Sequence, residues 1–510
     1  MKEDGVEDVK VKNVVFSGSE NGVRIKSWAR PSSGYVKGVT YQDITMNNVK
    51  NPIIIDERYC PDKRGCPNQS SGIKISQVTY QNIKGTSATP VAVNFQCSAT
   101  NPCSGIRLQN VKLSYLNSAA KSSCVNAQAS KPLSSSSASV YSTIINVVKL
   151  GAKPDGRTDS TESFNAAWAA ACSSRGPALI NVPKGKYLLK NVEFRGGSQY
   201  CKNTPRITFR IQGTLLAHLN NIKSENWVSF NQVQGVSIIG GGTLDARGSA
   251  LWACKAANKN CPQGATSLRI TNSKDIVIEG LRSVNSQMFN IVINRCENVD
   301  IRGVMISAPG DSPNTDGIHV QQSTGVTISK TGIKTGDDCI SIGPGTKNLW
   351  MQYIACGPGH GISIGSLGKG MEEEGVENVT LRRAVFTGTE NGLRIKAWGR
   401  PSNGFVKGVL FQHAIMKNVK NPIVIDQNYC PHNYNCPNQE SGIRISDVRY
   451  EDIRGTSATQ VAVKFDCSKK KPCEGIRLKD VKLTYKARRA QSTCVNAAVS
   501  APVQAYVRCD

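Results

Sequence analysis

Three short motifs in this chain carry residue types suited to acid–base chemistry. They are Asn314-Thr-Asp-Gly317, Gly336-Asp-Asp338 and Gly359-His-Gly361. Asp316, Asp338 and His360 each stand two residues ahead of an isoleucine, namely Ile318, Ile340 and Ile362. Asp337 lies beside this phase, and Arg394 and Lys396 follow on alternate positions of Leu393-Arg-Ile-Lys396. Carboxyls held close together cannot all ionise freely, so repulsion raises the proton affinity of at least one. A carboxyl that keeps its proton is a general acid, and an ionised neighbour is a base for water, the division of labour in glycoside hydrolysis. A guanidinium fork and an ammonium point charge beside them suit a carboxylate on the substrate. Each motif also has a plainer reading. An Asp-Asp pair in a glycine-rich turn is more often a turn or a calcium ligand, a lone histidine more often packs or caps, and an Arg-Ile-Lys run is usually a solvated strand face. The shared phase favours the joint reading.

That reading needs elements that stack residues distant in sequence. Alternating apolar pairs recur at Ile276/Ile278, Val299/Ile301, Val326/Ile328, Leu349/Met351, Val379/Leu381, Val409/Phe411, Ile443/Ile445 and Ile476/Leu478. A second set recurs at Ile291, Ile318, Ile340, Ile362, Leu393, Ile423 and Val461. Each member reads as a short strand of period two between Gly, Asn, Asp or Ser turns. Two such sets, repeating at a steady interval, predict an all-β chain coiled as a parallel β-helix. A β-sandwich would show more hairpin signals of the Asn-Gly type. Coils spaced by about 4.8 Å would set Asp316, Asp338 and His360 in one column. With Leu393 and Ile395 facing the core, Arg394 and Lys396 would point outward. The segment Thr158–Cys172 opens with capping residues and runs into alanines, which predicts a helix that plugs the first coil.

The chain also repeats itself. Residues 5–128 align without a gap onto 375–498, and some three-fifths of the positions are identical. Asn21-Gly-Val-Arg-Ile-Lys26 matches Asn391-Gly-Leu-Arg-Ile-Lys396, and Gly85-Thr-Ser-Ala-Thr89 matches Gly455-Thr-Ser-Ala-Thr459. The expected organisation is a partial repeat over 1–128, a Ser-rich linker over 129–143, and a complete unit over 144–510. The first unit keeps Arg24, Lys26 and Tyr59 but has none of the three acidic or histidine motifs. It begins in mid-pattern, so a bare leading edge is expected.

Cysteine spacing suggests local staples at Cys60/Cys66, Cys97/Cys103, Cys254/Cys261, Cys339/Cys356, Cys430/Cys436 and Cys467/Cys473, with longer pairs Cys172/Cys201 and Cys494/Cys509. Cys296 is left as a buried thiol. Cys124 is expected to keep its thiol, because Ser139 stands at the position equivalent to Cys509. No paired CxxC zinc pattern occurs.

The motifs NTDG, GDD, GHG and RIK, in this order, resemble the signature set of glycoside hydrolase family 28, the polygalacturonases. The likeness covers about residues 144–510, and the cysteine-rich tail is similar to the plant branch. It implies a right-handed parallel β-helix with an N-terminal capping helix, preceded here by the partial repeat. It implies hydrolysis of α-1,4-galacturonosyl bonds in polygalacturonate, with inversion and without a metal or other cofactor. By that likeness Asp337 is the general acid, Asp316 and Asp338 activate water, and His360 supports the acid. Arg394, Lys396, Asn314 and Tyr429 would bind substrate. A catalytically silent pectin-binding protein is the alternative, and a calcium-dependent lyase fits the motif order less well.

Charge agrees with this expectation. The chain has 63 Lys and Arg against 37 Asp and Glu, a net +26, which would concentrate an acidic polysaccharide. No nucleic-acid-binding signature occurs, and no apolar run is long enough to cross a bilayer, so neither nucleic acid nor membrane is expected as a partner. A monomer is expected. The charged start Met1–Lys10 does not read as a signal peptide, whereas disulfides and the family likeness imply secretion to a cell wall. Asn68-Gln-Ser70 and Asn378-Val-Thr380 are glycosylation sequons.

Overall fold

The structure is a computed structural model. It describes residues 3–60, 66, 69–116, 118–130 (backbone alone at 128–130), 141, 143–201, 206–218, 225–257, 260–431, 434 and 436–500. The chain divides into two compact units, Met1–Val140 and Tyr141–Asp510.

The larger unit is a right-handed parallel β-helix. One sheet of 20 strands runs from Thr143–Asn146 to Ala497–Ser500, and a second of 11 runs from Val192–Arg195 to Gln491–Val495. The second sheet shows why the sequence coils. Ile291, Ile318, Ile340, Ile362, Leu393 and Ile423 pair in register from coil to coil and are fully buried. They belong to one continuous core that extends from Ile145 to Ala490. Burial of one β-branched or leucine side chain per coil, repeated along an axis, is what a solenoid offers in place of a globular core.

Two expected phases shift at the C-terminal end. Ile423 pairs with Val463 rather than Val461, and the strand Val461–Asp466 is irregular between these residues where it meets Gln491–Val495. In the first sheet Val409 and Phe411 pair with Val448 and Tyr450, while Ile445 pairs with Val406. The strand Arg444–Ser457 carries two inward pairs, so alternation alone cannot choose between them. Bends within the strands of the first sheet use short polar residues. Asp275, Asn298, Asn348, Asn378 and Asp447 all have φ between +50° and +59°, a left-handed conformation that Asn and Asp tolerate best. Side chains bridge neighbouring bends: Asn298 Nδ2 donates to Asp275 Oδ1, and Asn378 Nδ2 to Asn348 Oδ1, both at 2.5 Å. The sequon residue Asn378 is thus an exposed rung of this ladder, and Asn68 lies outside the described residues.

Helix α1 spans Thr161–Cys172 and starts three residues later than expected. Asp155–Asp159 is a strand, the N-cap position falls on Ser160 without a capping side-chain bond, and Asp159 Oδ1 accepts from the backbone of Thr161 at 3.0 Å. Phe164, Ala167, Trp168 and Ala171 are buried at the first coil. Trp168 packs against Phe194, Phe209 and Phe230, with ring centroids 5.3–6.1 Å apart. Cys172–Cys201 ties the helix end to the following turn.

The smaller unit repeats the trailing coils. Asn21–Trp28 pairs with Asn51–Tyr59 in the same register as Asn391–Trp398 with Asn421–Tyr429, including the shift after the lysine. Its own core runs from Val23 to Leu108. Among the described residues it has no α-helix, and Val6 and Val15 on its first strands, with Val9 between them, are exposed. These exposed valines match the bare leading edge expected of that unit. Among the described residues seven disulfides form at expected pairs, two within the smaller unit and five within the larger. Cys296 is a buried thiol, Cys124 an exposed one, and the expected partner of Cys494, Cys509, lies outside the described residues.

Candidate active site

The site forms on the outer face of the 11-stranded sheet, where the strands Ile318–Gln321, Ile340–Ile342, Ile362–Leu367 and Asn391–Trp398 lie side by side. The turn ahead of each of the first three strands carries an acidic or histidine motif, and the fourth strand itself carries Arg394 and Lys396. Close stacking explains the glycines: a Cβ at Gly317 would sit 2.4 Å from the Cys339 carbonyl oxygen, and one at Gly361 2.1 Å from that of Asn391. The turns also hold one another. Asn290, fully buried, donates to the carbonyls of Thr315 and Asp316 at 3.2 Å, and Gly336 N donates to Thr315 Oγ1 at 3.1 Å. Cys339, next to Asp338, is braced by its bond to Cys356.

Asp316, Asp337, Asp338 and His360 are brought together as the column predicts, with differing surroundings. Asp338 is 2% exposed and fully engaged. Its Oδ1 accepts from Arg394 Nη2 at 2.9 Å and from Ser363 Oγ at 2.7 Å, and its Oδ2 accepts from Lys396 Nζ at 2.9 Å. Desolvation opposes its charge, but Lys396, Arg394 and Ser363 outweigh it and hold the carboxyl below its ordinary range. Asp316 is also buried, at 6% exposed, but is supported only by a hydrogen bond with Ser341 and by the more distant charge of Lys396. Desolvation first, then the charges of Asp337 and Asp338, push it well above the ordinary carboxyl value. Asp337 is the most open of the three, with its side chain 22% exposed. Its Oδ1 meets His360 Nδ1 at 3.1 Å and accepts from the Asp338 backbone at 2.8 Å. His360 also has Glu390 Oε2 3.6 Å from its Nε2, and the bond to Asp337 chiefly raises its pKa.

Arg394 and Lys396 leave the sheet on its outer face, as alternation predicts, but neither extends into solvent. Both fold onto Asp338, with side chains only 10% and 8% exposed. Arg394 keeps Nη1, and Lys396 two N–H groups, for another acceptor. Tyr429 lies beside them: its ring is 5.2 Å from Lys396 Nζ and edge-on to Trp398 at 5.6 Å. Asn314 is exposed on the NTDG turn at φ +58°, with Lys255 Nζ 3.4 Å from its Oδ1.

Donor atoms of Asp337, Asp338 and His360 come within 4.8 Å of one another. The Arg394 guanidinium and the Lys396 ammonium already take both oxygens of Asp338, which disfavours a further cation there. Sequence reasoning did not single out Ser363, which joins Asp338 to Arg394, nor Ser341 and His319 one and two coils before it. Their signal was an outward position of common phase: His319, Ser341, Ser363 and Arg394 pair in register.

Comparison with known proteins agrees with this architecture. The chain is 60% identical over 356 residues to a polygalacturonase of Prunus persica, covering 69% of this chain and 89% of that protein. It is 43% identical over 362 residues to polygalacturonase-2 of Solanum lycopersicum, covering 69% and 78%. Among solved structures, an endo-xylogalacturonan hydrolase from Aspergillus tubingensis superposes with a TM-score of 0.61 at 20% identity, over 71% of this chain and 100% of that one. The polygalacturonase of Erwinia carotovora gives 0.52 at 24%, over 73% and 99%, and both share the fold. The model of glycosyl hydrolases family 28 matches residues 1–138 and 172–503, the repeat and the complete unit alike, and to that family this chain belongs.

Proposed function

We propose that the chain hydrolyses α-1,4-galacturonosyl bonds of polygalacturonate, and so degrades pectin, by an inverting mechanism that uses two kinds of carboxyl. The observation that carries this reading is the meeting of three carboxyls and two cations on consecutive coils of a family member. Asp337, the least buried and the one paired with His360, donates a proton to the leaving oxygen. Asp338 is held ionised and, with Asp316, orients and activates the attacking water. Asp316 must therefore be ionised when water attacks, although burial favours its proton at rest. The free N–H groups of Arg394 and Lys396, with Tyr429 and Asn314, take the uronate beside the cleaved bond. The net charge of +26 draws the polyanion to the protein.

On this reading the complete unit, 144–510, is the catalyst. The partial repeat, 1–128, is silent because it lacks every acid of the site, and 129–143 joins them. Secretion to a plant cell wall and action as a monomer complete the reading; the plant relatives and seven disulfides support an oxidising, extracellular setting. No helix among the described residues is long and apolar enough to cross a membrane. Release of reducing ends from polygalacturonate, with the anomer of the first product read by NMR, tests it. An α-anomer from the α-linkage, or binding without release, would defeat inversion or hydrolysis respectively.

A further inference from the structure

Strand pairing makes a second outward column beside the carboxyls: His319, Ser341, Ser363 and Arg394. Ser363 bridges Arg394 and Asp338. One coil earlier, Ser341 takes the same place between His319 and Asp316. Its Oγ is 2.8 Å from His319 Nδ1 and in hydrogen-bonding reach of the Asp316 carboxyl. The His319 ring is fixed by stacking on Phe289, with centroids 5.4 Å apart. Its Nε2 lies 3.1 Å from Gln321 Oε1, and the Gln321 amide is oriented by donating from Nε2 to Asn294 Oδ1 at 3.1 Å. Oε1 can only accept, so the ring carries its hydrogen on Nε2, and Nδ1 presents a lone pair to Ser341.

Ser341 has one hydroxyl hydrogen and two claimants for it. With a neutral ring, the hydroxyl donates to Nδ1, and Oγ can then only accept from a protonated Asp316. With a protonated ring, Nδ1–H donates to Oγ, and the hydroxyl turns to an ionised Asp316. These are the two fully hydrogen-bonded arrangements. They differ by one relayed proton: it passes from Asp316 to Oγ as the serine's own hydrogen passes from Oγ to Nδ1, and no other bond changes.

We propose that His319 is a positioning residue that acts through the Ser341 hydroxyl to decide whether Asp316 holds its proton. The inference rests on the hydrolytic reading, in which Asp316 must ionise to help activate water. Burial favours the first arrangement at rest, because desolvation lifts Asp316 and lowers His319. Asp337, Asp338 and Lys396 are the charges that face Asp316. Asp338, Arg269 and Lys396 are those that face His319.

The test is kcat/KM for polygalacturonate against pH, with the full chain carrying Ser341→Ala, Ser341→Thr, His319→Phe, or Ser341→Ala with His319→Phe. Ser341→Ala removes the donor that supports the carboxylate, so the acid limb moves up by about one pH unit. His319→Phe keeps a ring against Phe289 but frees the hydroxyl for Asp316, so the limb moves down. The double variant follows Ser341→Ala, and Ser341→Thr, which keeps the hydroxyl, follows the unaltered protein. Single variants that shift the limb in the same direction, or not at all, overturn the proposal, as does a His319→Phe shift that persists without Ser341. Independently of activity, imidazole 15N shifts of the unaltered protein should show His319 as the Nε2–H tautomer; an Nδ1–H tautomer overturns it. An unaltered protein inert on polygalacturonate would instead defeat the hydrolytic reading and leave the NMR test standing.

Discussion

Arg24 and Arg394 sit at equivalent places in two copies of one motif, yet they make different ion pairs. In the complete unit Arg394 reaches back one coil to Ser363 and a further coil to Asp338. Residues 1–128 carry no counterpart of those coils, since their alignment starts at residue 5, opposite 375. Arg24 turns forward to Asp56, at 3.0 Å, and its Nε is left without a partner. Asp426, the counterpart of Asp56, is free of that pairing and is instead lifted by burial. Lys26 is exposed and lies 4.2 Å over the Tyr59 ring, whereas Asp338 draws Lys396 to 5.2 Å from Tyr429. Trp28 is 41% exposed where Trp398 is half-buried. Nearly identical local sequence, differing at Val23/Leu393 and Ser27/Ala397, thus yields a buried, charge-locked site in one setting and an open cation–aromatic surface in the other. The preceding coils, and not the motif, make the difference.

The largest expected effect follows from the missing acids. Asp337→Asn should lower polygalacturonate turnover by roughly 10²–10⁴-fold, the usual worth of a general acid, with the melting temperature little changed. Substantial residual activity would mean that another group, or the repeat itself, supplies the proton. Next comes stability. Asp338→Asn strands two cations that are almost buried, and should cost roughly 3–5 kcal/mol by denaturant unfolding. Asp56→Asn breaks the equivalent pair of the repeat, which is partly open to solvent, and should cost about 1 kcal/mol at most. Equal losses would show that the two ion pairs are not set apart by burial.

A smaller contrast concerns pH. His360, which has no counterpart in the repeat, has its pKa raised by Asp337. A raised histidine stabilises the fold fully below its unfolded value, about 6.5, and the contribution fades as pH rises through the folded value. The melting temperature of the complete unit should therefore fall across that interval, and His360→Gln should flatten the fall. The smallest effect belongs to Arg24→Ala with Lys26→Ala, which should leave hydrolysis within experimental error. A marked loss would give the repeat a share in catalysis.

Residue periodicity was enough to show the coils. Isoleucines two residues after Asp316, Asp338 and His360 put those groups on neighbouring rungs, and the structure keeps them there. Glycines at 317 and 361, the cysteine staples and the Ala-rich helix were legible for the same reason: each answers a local steric or covalent need. The phase errors at Ile443/Ile445 and Val461 arose where a long strand or a bulge offers two equivalent inward pairs, a choice that local alternation does not make. Side-chain partners were the least legible. Arg394 and Lys396 were correctly placed on the outer face, but that they close on Asp338 depends on residues 56 and 58 positions away.

Sequence alone, then, determined which atoms are present and on which face each rung displays them, since strand alternation is a property of the local backbone. Only the tertiary structure decided which carboxyl is neutralised by cations, which is left in a dry pocket, and which faces solvent. Those outcomes depend on distance and desolvation, which exist only once the coils are stacked.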